Sequence, residues 1–400
     1  MSSETPVRRR RVFYIPGYDP VPPRRYRELY RKEGAAQAAI SGYEIRVMAG
    51  RATGQFGWRI EARIEGATTA TELSVLTWSD IVKDSMDRGV LATYAQLVRT
   101  SATYIGTGAL FRLMRLRKGP LTAALYPVGF LLVQLSLALL AAWGLGYVLA
   151  FWHPLAAWGG FVVVPVVLEW FRRQDGRFFA YYLMHDYAYS AHHNGALSPE
   201  LEARLAEFTG EIAAALAEDR DEVLVIGHSS GAHLGVIVLA DLIRAGQVPP
   251  GGPALSFLSL GQVVPMVSFL PRAWRLRAAL AYLATRPELF WLDVSAPGDG
   301  CSFALCDPVS VSGVAPRDKR WPLVISAAFS RTLSPARWRA LRWRFFRLHF
   351  QYLCAFDNPH DYDYFRITAG PKTLGARFAG RKPSQSRIEQ PASRHTSVAP

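Results

Sequence analysis

A long stretch without charged residues interrupts this chain at residues 121–152. An apolar segment of this length can cross the hydrocarbon core of a bilayer, roughly 30 Å thick, as one helix. A second and shorter apolar run, 155–168, follows and continues to Phe171. We therefore predict a membrane-embedded helical hairpin over residues 119–173, with membrane lipid around residues 121–171. Its second run is expected to cross marginally or to dip in and return.

Positive charges on both sides of this hairpin predict its orientation. The basic residues are Arg112, Arg115, Arg117 and Lys118 before it, and Arg172, Arg173 and Arg177 after it. The turn between the two apolar runs carries no charge. Because positively charged flanks stay in the cytoplasm, we expect the globular part to face the cytoplasm at the inner membrane. Strand-like segments on the two sides of the hairpin can pair in one sheet only if both lie in the same compartment.

The rest of the composition fits this interpretation. The formal net charge of +14 would attract nucleic acid or anionic lipid. The sequence contains no recognisable nucleic-acid module, and two arginine clusters border the apolar stretch, so lipid is the expected partner and nucleic acid is not. Three cysteines are too few for a disulfide framework and indicate a reducing compartment.

Outside the hairpin, short apolar strands alternate with helical segments. Strand-like runs occur at residues 11–15, 43–48, 57–64, 72–78, 222–226, 255–260, 289–294 and 323–327. Helix-like runs occur at residues 200–217, 232–245, 273–285 and 335–347. This alternation predicts an α/β fold in which helices flank a mostly parallel sheet. We expect residues 1–118 and 174–380 to form one domain around the hairpin, and the polar residues 381–400 to form a disordered tail.

One strand-to-helix junction carries the pattern Gly-X-Ser-X-Gly, at residues 227–231. An unbroken apolar strand runs into this turn, and a helix with periodic apolar residues leaves it. Glycines at both ends allow the backbone to double back, which forces the central Ser229 into a strained and exposed position. Ser229 is therefore a candidate nucleophile.

A nucleophilic serine needs a histidine to remove its proton, and that histidine needs an acid to orient it. Asp299 lies in a turn just past the strand at 289–294 and is the preferred acid. Asp307, farther along the same loop, is its alternative, and either carboxyl could instead bond its own turn. His349, after the last predicted helix, is the preferred base. His360, in a polar turn, is its competitor.

Acyl chemistry also needs N–H donors for the oxyanion of the tetrahedral intermediate. Ser230 follows the nucleophile directly and supplies one donor. Gly17 turns the loop after the first strand, so the N–H of Tyr18 is the predicted second donor. The histidines have no spaced set of cysteines or carboxylates to complete a metal site, so we expect neither a metal nor an organic cofactor.

These motifs together resemble the α/β-hydrolase family of lipases, esterases and thioesterases. They are Gly-His-Ser-Ser-Gly between a strand and a helix, Asp299 and His349 after successive strands, and an early Ile-Pro-Gly-Tyr loop. Two features depart from the family. Pro16 stands where the family often has histidine, and the apolar insertion precedes the serine strand, whereas a cap usually follows the next strand. The hairpin is therefore expected to be an anchor and not a lid.

The resemblance implies a serine hydrolase that cleaves carboxylic esters through an acyl-enzyme, with lipid or acyl-ester substrates reached at the membrane. A thioesterase or an acyltransferase would use the same three residues. A membrane-tethered scaffold is the alternative from another class, because a chain can keep this fold without turnover.

Overall fold

A computed structural model describes residues 6–50, 56–86 and 88–400, and an eight-stranded sheet runs through them. The strands are β1 (Arg9–Ile15), β2 (Glu44–Ala49), β3 (Gly57–Ile64), β4 (Ala67–Val75), β5 (Glu222–His228), β6 (Ala254–Leu260), β7 (Leu289–Ser295) and β8 (Leu323–Ser326). Their order is β2-β3-β4-β1-β5-β6-β7-β8. β3 runs antiparallel to both neighbours, and the other adjacent pairs are parallel. The predicted α/β fold with a mostly parallel sheet is confirmed.

Helices cover the sheet and extend away from it. The α-helices are α1 (Arg24–Ser41), α2 (Ser79–Met86), α3 (Val90–Gly106), α4 (Ala109–Leu113), α5 (Lys118–Ala150), α6 (Val163–Arg173), α7 (Asp175–Phe178), α8 (Ala180–His192), α9 (Pro199–Leu216), α10 (Gly231–Arg244), α11 (Val264–Ser268), α12 (Trp274–Leu283), α13 (Pro308–Val311), α14 (Phe329–Thr332), α15 (Pro335–Leu341), α16 (Phe345–His349), α17 (Tyr364–Ala369) and α18 (Leu374–Arg377). Two 3-10 helices occupy Pro154–Val162 and Phe350–Leu353.

Side chains of the central strands alternate between two hydrophobic cores. Phe13 and Ile15 of β1 pack in one core with residues of α9, α10 and α12. Val12 and Tyr14 of the same strand pack in the other core with residues of α1 and α17. Both faces of the sheet are therefore covered. This burial on both faces explains why the central parallel strands are unbroken apolar runs in the sequence.

Two apolar helical segments are long enough to cross a membrane, Lys118–Ala150 and Pro154–Arg173. Only 22% and 11% of their most apolar windows are buried, so most of this surface faces away from the protein. The segments meet at glycines: a Cβ on Gly160 would lie 2.2 Å from the carbonyl oxygen of Ala142. Small residues thus bring the two backbones into contact, as they do in membrane helix pairs.

Two predictions differ from the structure. Residues 381–400, expected to be disordered, pack on the globular part: the Asp307 N–H donates to the carbonyl oxygen of Ile388 at 2.9 Å, and Arg277 Nε donates to that of Ser397 at 2.6 Å. Hydrogen bonds to buried groups order this segment, and its polar composition does not reveal them. The helix predicted at 335–347 is divided into α15 and α16.

Candidate active site

Ser229 lies at the carboxyl end of β5, in the turn before α10. Its φ is 56°, in the left-handed region that residues other than glycine rarely adopt. A Cβ on Gly231 would lie 2.1 Å from the carbonyl oxygen of Ile15, and one on Gly227 would lie 2.6 Å from that of Gly231. Only glycine fits on either side of the serine. The half-buried Ser229 at the tip of the turn lines a cleft.

Asp299 and His349 form a hydrogen-bonded pair that belongs to the same site. His349 Nδ1 lies 2.8 Å from Asp299 Oδ2. The Cys301 N–H donates to Asp299 Oδ1 at 2.9 Å. Burial opposes ionisation of this carboxyl, but the charge and hydrogen bond of His349 and the Cys301 N–H outweigh burial and lower the pKa of Asp299. The carboxylate stays charged and makes Nδ1 the protonated nitrogen of the imidazole.

The second ring nitrogen of His349 is available as a base. Nε2 is buried and has no hydrogen-bond partner among residues 6–50, 56–86 and 88–400. His349 and Ser229 line the same cleft, but the hydrogen bond between the serine hydroxyl and Nε2 is not made in this conformation. Catalytic hydrogen bonds are often long without a substrate and tighten when one binds.

The loop after β1 reaches Ser229 from the neighbouring position in the sheet. A Cβ on Gly17 would lie 2.9 Å from Ser229 Cβ and 3.4 Å from its Oγ, so the backbone here passes directly beside the serine. Tyr18 follows Gly17, and its side chain is buried with the hydroxyl 2.5 Å from Ser85 Oγ. Within the described part of the chain, the N–H groups of Tyr18 and Ser230 donate to no protein acceptor. Of the two predicted oxyanion donors, Ser230 therefore follows Ser229 in sequence, and Tyr18 follows the glycine that lies beside Ser229 in space.

The alternative acid and base lie elsewhere. Asp307 caps α13, because its Oδ1 accepts from two backbone N–H groups at 3.0 and 2.9 Å. His360 is exposed in a loop and is not among the residues that line the cleft. The structure thus brings Ser229, Asp299 and His349 into one site and leaves both alternatives outside it.

No family model, curated protein or solved structure matches the chain. The site combines a serine on a strained backbone with an imidazole whose Nε2 is free in the same cleft. A buried carboxylate holds the other ring nitrogen. Such an arrangement can deprotonate the serine and stabilise the resulting imidazolium.

His228 also lines the cleft and contacts the backbone of His349. Its Nε2 lies 3.0 Å from the carbonyl oxygen of His349, and its Nδ1 lies 3.3 Å from the Tyr14 hydroxyl. Burial lowers the pKa of His228 to about 3, so the ring is neutral and donates one N–H to that carbonyl oxygen. These contacts give His228 a structural place beside the turn that carries Ser229.

Two further residues complete the site and are not indicated by the sequence analysis. The Tyr352 hydroxyl accepts from the Ala296 N–H at 2.9 Å and donates to Asp299 Oδ2 at 3.0 Å, so it holds the turn that carries the acid. A Cβ on Gly261 would lie 2.7 Å from the Tyr352 ring and 3.1 Å from His349 Cε1. The spacing of three between His349 and Tyr352 is a sequence signal for the tyrosine, because residues three apart share a helix face.

Asp299, Cys301 and His349 place their ligand atoms within 4.8 Å of one another, close enough to hold a metal ion. However, the carboxylate and the imidazole already bond to each other. Burial also raises the pKa of the Cys301 thiol well above its usual value. Because metals bind the thiolate, this geometry fits an acid–base pair better than a metal centre.

The cleft in front of Ser229 has apolar and aromatic walls. They come from the start of α5, from α8, from α11 and the residue before it, from the loop after β7, and from α16 and the residue after it. The apolar and aromatic wall residues are Pro120, Tyr182, Leu183, Tyr187, Val263, Met266, Val267, Phe303, Phe346 and Phe350, and Asp186 and Ser190 of α8 are polar residues of the same wall. Such walls bind the carbon skeleton of a ligand, while the few polar groups orient it.

Proposed function

We propose that the protein is a membrane-anchored serine hydrolase that cleaves carboxylic esters through an acyl-enzyme on Ser229. The proposal rests on the strained Ser229 at the tip of its turn, in one cleft with a His349 that Asp299 holds by Nδ1. The sheet supports a variant of the α/β-hydrolase architecture, since the strand that carries the serine and the strand that carries the Gly17 loop are parallel neighbours.

In the proposed reaction, His349 Nε2 takes the proton of Ser229 as the hydroxyl attacks the ester carbonyl carbon. The oxyanion accepts hydrogen bonds from the N–H groups of Ser230 and Tyr18. Collapse of the intermediate breaks the ester bond, and the leaving alcohol takes the proton from His349. Water then attacks the acyl-serine carbonyl carbon and gives a proton to His349. When the bond to Ser229 Oγ breaks, the serine takes this proton back and the carboxylic acid is released. Asp299 remains ionised throughout and stabilises the imidazolium.

The position of the cleft supports a lipid or acyl-ester substrate. Pro120, in the first turn of α5, lines the cleft. A Cβ on Gly119 would lie 3.0 Å from the Cα of Gly300, directly beside the turn of the acid. The cleft therefore lies at the base of the apolar hairpin, where an acyl chain could pass from the bilayer to the serine. The arginines at both flanks of the hairpin favour the cytoplasmic side of the inner membrane for this base.

A fluorophosphonate probe, which reacts with activated serines, tests the proposal. The wild type should be labelled and Ser229→Ala should not. His349→Ala should lose labelling and should lower ester turnover by roughly three orders of magnitude or more. His360→Ala, which removes an exposed histidine, is the matched control and should behave as the wild type. In sealed vesicles, a membrane-impermeant probe should label the protein only from the cytoplasmic side.

Two results would contradict the proposal. Absence of labelling in a well-folded wild type would favour a non-catalytic scaffold. Full turnover in His349→Ala, with loss in His360→Ala, would move the base to the other histidine.

A further inference from the structure

The cleft in front of Ser229 has a charge opposite to that of the chain as a whole. The chain has 46 lysine and arginine residues against 32 aspartate and glutamate residues. Among the described residues, however, no lysine or arginine lines this cleft, whereas two carboxyl groups do, those of Asp19 and Asp186. A low-dielectric cleft lined by one sign of charge concentrates ligands of the opposite sign.

Of these two carboxyl groups, only Asp19 is hydrogen-bonded within the described part of the protein. Asp19 accepts from the Tyr26 hydroxyl at 2.6 Å and from the Val21 N–H at 2.9 Å. Asp186, on α8, makes no hydrogen bond or ion pair with any residue that the structure describes. Burial raises the pKa of Asp186 to about 7, with the charge of His349 acting in the opposite direction. A cation in the cleft would offset the cost of keeping this carboxylate ionised.

Aromatic rings surround this side of the cleft. Tyr182 and Tyr187 flank Asp186 on α8, and burial together with the charge of Asp186 raises the pKa of both phenols. Phe346 packs against Tyr182 with ring centroids 5.7 Å apart, and Phe350 lines the same cleft. Ring faces attract alkylammonium groups within about 6 Å, and the attraction is strongest where water is excluded.

We propose that Asp186 and these rings form a subsite for an alkylammonium group, so that the preferred substrates are carboxylic esters that carry a positively charged amine. This inference rests on the proposed function and adds the charge of the substrate to it. Ser229 and Asp186 line one cleft, so a single ligand can place its carbonyl at the serine and its ammonium at the carboxylate. A phosphate next to the ammonium would find no lysine or arginine among the described lining residues.

A pair of esters with the same shape tests the subsite. The choline ester and the 3,3-dimethylbutyl ester of one short-chain acid differ in that a quaternary nitrogen replaces a carbon. For the wild type we expect a higher kcat/KM with the choline ester. In Asp186→Asn the ratio of the two kcat/KM values should fall roughly tenfold to hundredfold, mainly through KM of the choline ester. Asp318→Asn, which removes an exposed carboxyl outside the cleft, should keep the wild-type ratio.

Binding to Ser229→Ala separates this inference from the proposed function. This variant keeps Asp186 and the rings, and calorimetry on the full chain in detergent should show tighter binding of the choline ester than of its neutral counterpart. The preference should disappear in the double variant that also carries Asp186→Asn. Equal affinities for the two esters, or an equal loss of hydrolysis for both in Asp186→Asn, would overturn the inference. A binding preference in a wild type that hydrolyses neither ester would support the subsite and overturn the hydrolase proposal instead.

Discussion

Ser229 adopts a backbone conformation that costs on the order of 1–3 kcal/mol, and its surroundings hold it there. Its N–H donates to the carbonyl oxygen of Leu260 at 2.9 Å, and its own carbonyl oxygen accepts from the Ala232 N–H at 3.1 Å. The glycines at 227 and 231 remove the side chains that would collide with the neighbouring backbone. The rigid sheet and α10 therefore fix the serine, which is what a preorganised nucleophile requires.

The carboxyl group of Asp293, in β7, is fully buried, and the proposed reaction does not use it. Its Oδ1 accepts from the Ser259 hydroxyl at 2.6 Å, and its Oδ2 has no partner among the described residues. Burial raises the pKa of Asp293 to about 8. Between pH about 4 and about 8, the folded state therefore holds a proton that the unfolded state has released. The contribution of Asp293 to stability decreases as pH rises through this range and is constant above it.

Asp293→Asn should therefore stabilise the protein by a margin that grows with pH. Asparagine keeps the shape of the protonated acid without its proton equilibrium, so the gain in melting temperature over the wild type should increase from about pH 5 to about pH 8 and then level off. Thermal unfolding across this range measures the margin. Asp318→Asn, with an exposed carboxyl, is the control and should show no such trend. A margin that shrinks as pH rises would contradict the assignment.

Some residues of the site can be predicted from the sequence, and others cannot, for a physical reason. Ser229 is marked by the glycines that its turn needs, and Asp299 and His349 are marked by their places after predicted elements. Tyr352 is indicated only by its spacing of three from His349, and Asp186 is not indicated at all, because its role depends on which helix faces meet across the cleft. Those contacts join segments distant in the chain, and local patterns do not encode them.

At the scale of elements, the two apolar segments depend on close backbone packing. The predicted central parallel strands lie close to the observed ones, because burial on both faces produces continuous apolar runs. The pairing within the hairpin is different, because Gly146 and Gly160 are contact points in the structure and no local pattern distinguishes them from the other glycines of the hairpin. The strand order also cannot be predicted from local sequence patterns. β1 lies between β4 and β5, and its pairing with β5 joins residues from before and after the hairpin.

Gly146 and Gly144 give a matched pair to test this packing. A Cβ on Gly146 would lie 2.6 Å from the carbonyl oxygen of Ala157, whereas one on Gly144 would have no neighbour within 4 Å. Gly146→Ala should therefore separate the two segments and destabilise the protein by about 1–3 kcal/mol, and Gly144→Ala should have little effect. Thermal unfolding of both variants in the same detergent measures the difference. Equal melting temperatures for the two variants would contradict the packing.

At the scale of the whole molecule, the hairpin and the cleft share a boundary. The first turn of α5 contributes Pro120 to the cleft wall, and Gly119 contacts the turn that carries Asp299. The start of the first apolar segment is therefore part of the wall of the cleft. This continuity links the position of the anchor to the kind of substrate that we propose.

Acyl esters of increasing chain length test this link. Because longer chains bury more apolar surface in the cleft wall and the bilayer, kcat/KM should rise with chain length on purified protein in lipid vesicles. Ser229→Ala in the same vesicles gives the background hydrolysis. A sharp preference for short, water-soluble acyl chains would count against delivery from the membrane.

The hairpin lies in the chain between β1 and β5, which are neighbours in the sheet. During translation, β1 and its Gly17 loop leave the ribosome well before the strand that presents Ser229. The pairing of β1 with β5 can therefore form only after the apolar segments between these strands have been synthesised. The Gly17 loop and Ser229 thus come together late, when two parts of the chain made at different times join in one sheet.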